Sequence, residues 1–270
     1  MMNKIFDLTG KTIVMTGGTG VLGSAMAKGY AKAGAKLAIL GRSREKCDTL
    51  ASSLGKDHMG IETDILDRDS LSESLQRIVG KFGQIDVLVN VAGGNHPKST
   101  TGPEMSFFDM PKESFEFVTG LNLTGSVLPA QVFGRQMAAQ GAGCIINVSS
   151  MSALRPLTRI PAYSAAKAAV SNFTQWLAVH LAQEYSPELR VNAIAPGFFL
   201  TEQNRFLLTD RESGELTERG QKIVDHTPMA RFGAPCDLVG TCIWLASDAA
   251  RFVTGIVVPI DGGFSAFSGV

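Results

Sequence analysis

Short apolar, β-branched runs alternate with longer amphipathic stretches almost throughout the chain. Buried parallel strands read as continuous hydrophobic runs, so this alternation is the signature of βαβ units. The runs predict strands at Thr12–Thr16, Lys36–Leu40, Gly60–Thr63, Val87–Asn90, Cys144–Val148, Arg190–Ile194 and Ile256–Pro259. The stretches between them predict helices at Gly20–Ala33, Ser43–Leu54, Arg68–Phe82, Lys112–Ala139, Ala162–Glu184 and Pro235–Ser247. Gly34 follows the first helix as a C-cap would, and Asp67 precedes the third as an N-cap would. The expected fold is α/β, a doubly wound parallel seven-stranded sheet with helices on both faces. No repeat, low-complexity tract or linker divides the chain, which predicts a single domain over residues 1–270.

Two insertions interrupt the alternation. Residues 93–111, rich in Gly, Pro, Ser and Thr, follow the fourth strand, and residues 198–227, polar and charged, follow the sixth. Both fall at the carboxyl edge of the sheet, where open parallel sheets bind ligands. Insertions of this length are usually functional or disordered. The two predict the substrate side of a cleft, the second as a partly helical lid.

Composition narrows the partners. Twenty-five basic and 25 acidic residues give zero formal charge with no basic block, which argues against nucleic acid. No apolar stretch approaches the roughly 20 residues needed to span a bilayer, and the N-terminus lacks the pattern of a signal peptide. A cytoplasmic protein is expected. Cys47, Cys144, Cys236 and Cys242 form no C-x-x-C pair and read as buried, reduced thiols. The histidines at 58, 96, 180 and 226 have no metal-ligand spacing, so no metal is expected.

Chemistry enters at the first strand–helix join, Thr16-Gly17-Gly18-Thr19-Gly20-Val21-Leu22-Gly23. Gly18, Gly20 and Gly23 fit G-x-G-x-x-G, whose glycines permit a tight turn and close approach of the backbone to a pyrophosphate. A bare structural turn would look similar, but the strand–turn–helix context favours a dinucleotide. At the end of the second strand, where an acidic residue would take the ribose hydroxyls of NAD, stand Gly41 and Arg42. A guanidinium beside a small residue suits a 2′-phosphate, so NADP(H) is the preferred cofactor and NAD(H) a possible one. A second reading makes Arg42 and Arg44 solvated charges opening a helix.

The candidate reactive pair is Tyr163 and Lys167, four apart in an Ala-rich run and therefore on one helix face. A free phenol has a pKa of about 10, and a neighbouring ammonium lowers it, which would give a general acid/base tuned toward neutral pH. Ser150 follows the apolar run ending at Val148 and could hydrogen-bond the same substrate oxygen. Tyr-x-x-x-Lys alone is also the pattern of an ordinary amphipathic helix.

Taken together, these pieces resemble the short-chain dehydrogenase/reductase family, whose Rossmann-like domain the chain would match over nearly its whole length. The resemblance rests on the turn at Thr16–Gly23, Thr63-Asp64, Asn90-Val91-Ala92-Gly93, Asn122 in Leu121-Asn122-Leu123-Thr124-Gly125, Ser150, Tyr163 with Lys167, and Pro196-Gly197 leading to Thr201. It implies cofactor contacts from Gly17, Thr19, Gly20, Val21 and Leu22 in the turn, from Arg42, and from Asp64 and Ile65. It extends them to Asn90, Ala92 and Gly93, and to Pro196, Gly197, Phe199 and Thr201 beside the nicotinamide. It makes Tyr163 the acid/base, with Lys167 binding the ribose and lowering the Tyr163 pKa. Ser150 would orient the carbonyl, and Asn122 would hold a relay water. Two positions depart from the usual family pattern: Val21 replaces the middle glycine, and Val91 stands where Asn is commoner.

Within the family the chain is most similar to bacterial D-mannonate oxidoreductases, through Lys4–Lys11, Gly93–His96 and Pro196–Arg205. That likeness implies a hydroxyl/carbonyl pair on a sugar acid, D-mannonate and D-fructuronate. A carboxylate and several hydroxyls call for a guanidinium and amides, which Asn95, Arg155, Arg159, Gln203 and Asn204 would supply. Other polyol or 3-oxoacyl reductases remain open, as does a nucleotide-binding sensor without chemistry. The resemblance also implies a homo-oligomer, commonly a tetramer, built from the helices at 112–139 and 162–184.

Overall fold

A computed structural model describes residues 2–201, 205, 208–210 and 213–269. Its centre is β1 (Thr12–Thr16), all five residues of which are buried. Ile13 and Met15 face one layer of core and Val14 the other, as the two-residue period of a strand requires. Around β1 lie β2 (Lys36–Gly41), β3 (Met59–Glu62), β4 (Val87–Asn90), β5 (Gly143–Val148), β6 (Leu189–Pro196) and β7 (Val257–Ile260). The order is β3-β2-β1-β4-β5-β6-β7 and every pairing is parallel. Thr16 is in register with both Leu40 and Asn90, so three strands end together where the order reverses, between β1 and β4. That is the place where such sheets leave a crevice.

After a one-turn helix, α1 (Met2–Ile5), the crossovers are α2 (Val21–Lys32), α3 (Arg44–Leu54), α4 (Arg68–Phe82), α5 (Lys112–Thr119), α6 (Gly125–Gln140) and α7 (Pro161–Glu184). Beyond β6 come α8 (Glu218–Asp225) and α9 (Val239–Ala246). One core layer joins Met26, Tyr30, Cys47, Leu238 and Leu245 to Ile13, Met15, Leu37 and Ile39. The other joins Leu71, Ile78, Phe133, Met137, Leu177 and Leu181 to Val14, Leu40, Leu88 and Ile145. The expected Rossmann-like seven-stranded sheet is the observed one. Caps follow the residues present: Ser43 accepts from Lys46 N, Asp67 from Asp69 N and Ser70 N, and Thr217 from Gly220 N.

Three expectations need correction. The helix predicted over Lys112–Ala139 is interrupted by a π-helical turn at Gly120–Thr124. The Asn122 side chain donates to Val118 O, the carbonyl that the Asn122 backbone would use in an α-helix. The helix predicted over Pro235–Ser247 begins as a 3₁₀ turn, Pro235–Leu238. Within that turn Cys236 is exposed, unlike Cys47, Cys144 and Cys242, because Leu238 is the residue the turn sends inward.

Candidate active site

The glycine turn is shaped by contacts that leave no room for side chains. Gly17 has φ +64°, and a β-carbon there would lie 2.7 Å from the Ala92 backbone. One on Gly23 would lie 2.5 Å from Gly17 O. Gly20 is the extended N-cap of α2 and offers no capping side chain, so the first N–H groups of a 12-residue helix are left for an anion.

From this turn a cleft of about 680 Å³ runs across the carboxyl edge of the sheet. Gly17, Thr19, Gly20, Val21, Leu22, Arg42, Asp64, Ile65, Ala92, Gly93, Tyr163, Gly197, Phe199 and Thr201 all line it. Its size and its glycine-and-helix entrance fit a dinucleotide. Arg42 is exposed at the β2 end, whereas Arg44 turns to Asp48 at 3.4 Å. Asp64 accepts from Leu66 N, which closes the turn after β3.

Three expected cofactor residues, Asn90, Pro196 and Lys167, do not line the cleft. Pro196 ends β6 behind the cleft wall, in register with Ile260. Asn90 is turned inward, donating to Ser126 O and to Asn147 Oδ1 at 2.9 Å. Asn147 in turn donates to Thr174 Oγ1, which donates to Val170 O. This buried ladder ties β4, β5, α6 and α7 together beneath the reactive residues. Ser149 fixes the same helix one step on, through Lys167 O.

Tyr163 and Lys167 leave α7 on one face. Lys167 is buried, and its Nζ donates to Val148 O at 2.7 Å and stands 5.6 Å from the Tyr163 ring centroid. Ser150 is buried, and its hydroxyl accepts from Ser152 N in the turn after β5. Asn122 clasps Gly94, donating to Gly94 O at 2.7 Å and accepting from Gly94 N at 3.2 Å. A β-carbon on Gly93 would meet Asn122 Oδ1 at 2.6 Å and Lys167 Nζ at 3.1 Å, so the amide and the ammonium share one small space.

The electrostatics differ from the sequence expectation. Burial raises the Tyr163 pKa above the ordinary phenol value and the Ser150 hydroxyl opposes that rise. Burial also lowers Lys167 to about 8. Loss of solvent sets both directions, while the Lys167 ammonium donates to Val148 O.

Of the expected substrate residues, Asn95, Arg155 and Arg159 are exposed and do not line the cleft. Asn95 donates to Thr100. Arg159, at φ +73°, accepts from Thr101 N and so joins the first insertion to the loop before Tyr163. Gln203 and Asn204 lie outside the described residues. The sequence reading missed Phe117 and Leu121, which line the cleft beside Gly94. Their spacing of four ahead of Asn122 was the available signal. Phe199 is held by Gly233, where a β-carbon would touch its ring at 2.7 Å. Gly197 rests on Asp261, a β-carbon there coming 2.5 Å from Asp261 Cβ, and its N–H donates to Ile260 O.

The family model described as enoyl-(acyl carrier protein) reductase matches residues 19–265. The chain belongs to the short-chain dehydrogenase/reductase family. It is 50% identical to the uncharacterized oxidoreductase UxuB of Bacillus subtilis, over 98% of each chain. A crystal structure of a candidate D-mannonate oxidoreductase from Haemophilus, with bound NAD, superposes at TM-score 0.91 and 44% identity, covering 98% of each chain. A gluconate 5-dehydrogenase from Burkholderia cenocepacia, in complex with NADP and tartrate, superposes at TM-score 0.88 and 30% identity, covering 99% of this chain and 100% of that one. As a short-chain dehydrogenase/reductase, the protein is an NAD(P)-dependent oxidoreductase. Among the described residues no helix is long and apolar enough to cross a membrane, and no group of His, Cys, Asp or Glu is arranged to hold a metal ion.

Proposed function

We propose that this protein interconverts a carbonyl and a hydroxyl on a sugar acid, D-fructuronate and D-mannonate, with NADP(H) preferred and NAD(H) accepted. The observation that carries the reaction class is the meeting of Ser150, Tyr163 and Lys167 beside a dinucleotide-sized cleft. Nicotinamide, when bound, supplies or takes the hydride. Tyr163 Oη gives the substrate oxygen its proton during reduction and takes it back in oxidation. The Ser150 hydroxyl holds that oxygen. Lys167, tethered to Val148 O, would turn its remaining hydrogens to the ribose hydroxyls of a bound cofactor, and Asn122 would hold a relay water between Lys167 and solvent. Gly197, Phe199 and Thr201, which line the cleft, would hold the nicotinamide ring.

The sugar-acid reading is supported by the names of the Haemophilus and Burkholderia relatives. The insertions at 93–111 and 198–227 would form the substrate side; Asn95, Arg155 and Arg159 stand exposed outside the cleft and would have to turn toward a bound substrate to reach its carboxylate and hydroxyls. The preference for NADP(H) is supported by Gly41 and the exposed Arg42. NAD(H) is favoured by the dinucleotide bound in the Haemophilus relative. The acyl alternative draws on the apolar lining by Phe117, Leu121 and Phe198. A homotetramer is supported by the face of α6 and α7, where Trp176 and Val179 are more than half exposed.

The test is a panel of hexuronates, aldonates and 3-oxoacyl thioesters, assayed with both cofactors. We expect D-fructuronate reduction with NADPH to give the highest kcat/KM. Turnover of thioesters without turnover of any sugar acid would overturn the substrate reading.

A further inference from the structure

We propose that Cys47 is a positioning residue for cofactor choice: its side chain excludes an acidic residue from position 41, and so withholds the carboxylate that would favour NAD(H). This rests on reading the β2 end of the cleft as the adenosine ribose site.

A carboxylate at the end of the second strand is the usual partner of a ribose 2′-hydroxyl. Here that place is Gly41, which lines the cleft next to Arg42. The backbone does not demand glycine there, since Gly41 is not among the residues with left-handed φ. What opposes a side chain is packing. A β-carbon on Gly41 would lie 3.1 Å from Cys47 Sγ, inside the roughly 3.5–4.0 Å of a comfortable carbon contact. Its next neighbour, Thr19 Oγ1, is at a relaxed 3.6 Å. The sulfur is therefore the obstacle.

Cys47 cannot step back. It is fully buried in the core layer that holds Leu37 and Ile39, on the first turn of α3. Behind it Gly60 of β3 is pressed against the Cys47–Asp48 peptide, where a β-carbon would come 2.5 Å from Asp48 N. Helix α3 is thus clamped to the sheet edge by one glycine while its cysteine blocks another. Burial and the Asp48 carboxylate push the thiol up to about 11, so it stays neutral and acts by bulk.

The experiment is a double-mutant cycle of Gly41→Asp and Cys47→Ala. NADH and NADPH dissociation constants come from fluorescence titration, and unfolding midpoints are measured alongside. Gly41→Asp alone is expected to weaken both cofactors and lower the midpoint. Adding Cys47→Ala should restore NADH binding about tenfold and raise the midpoint of the Asp variant, although Cys47→Ala lowers it in the wild-type background. Strictly additive effects would overturn the proposal. If Gly41→Asp does not fold, Gly41→Ala with and without Cys47→Ala reads the same coupling in the midpoint. A wild type that binds NADH as tightly as NADPH would remove the preference proposed above, and the coupling between positions 41 and 47 would still decide the role of Cys47.

Discussion

The two halves of the cleft are built on opposite principles. The half we assign to the cofactor, at the ends of β1 and β2, is shaped by missing side chains: Gly17 against Ala92, Gly23 against Gly17 O, Gly41 against Cys47. The half we assign to catalysis, at the ends of β4 and β5, is shaped by buried polar side chains that are almost all engaged, from Asn90 through Asn147 to Thr174, and from Asn122 to Gly94. One half should be damaged by adding atoms and the other by removing them. The difference follows from what each must do, since a pyrophosphate is met by backbone N–H groups and a proton is moved between fixed side-chain atoms.

The sharpest deletion is Tyr163→Phe, expected to lower kcat about 100-fold or more while cofactor affinity, read by fluorescence titration, stays near wild type. Retained turnover would remove Tyr163 from the chemistry. On the other side, Gly17→Ala adds one carbon at a left-handed φ and 2.7 Å from backbone, and should cost about 3 kcal/mol in urea unfolding. An unaffected midpoint would break the contrast. Asn147→Ala, which takes one partner each from the buried Asn90 amide and the buried Thr174 hydroxyl, should cost about 2 kcal/mol without a change in the cofactor ratio.

The smallest effect tests an exception. Lys167 is buried with its pKa at about 8, against 10.5 for an ordinary lysine, so charging it opposes folding at neutral pH. Unfolding takes up a proton between those two values, and wild-type stability rises across that window. Lys167→Met should therefore be more stable than wild type by about 1 kcal/mol at pH 7, after the loss of the bond to Val148 O. The gain should vanish as the pH approaches 10.5. A variant less stable at pH 7 than at pH 10, relative to wild type, would contradict the sign.

Features set by neighbours in sequence were legible in advance. The glycine turn and the Tyr163–Lys167 pair each lie within one strand–helix join or one helical turn, so spacing alone defines them. The seven strands were legible because each is a buried apolar run. What escaped depends on groups distant in the chain. Asn122 breaks its helix because Gly94 and Val118 both claim its side chain. Asn90 serves the interior because Asn147 stands in register with it. The direction of the Tyr163 shift was missed because burial is a tertiary quantity, while the ammonium four residues away is a local one.

The contact between Gly197 and Asp261 also bears on the order in which the protein is made. The turn that meets the pyrophosphate and the strands beside it belong to the early part of the chain, while the loop at Gly197 is backed by residues translated only after α8, α9 and β7. Helix α2 after that turn packs on Leu238 and Leu245, so both ends of the cleft wait for the last stretch of the chain to emerge.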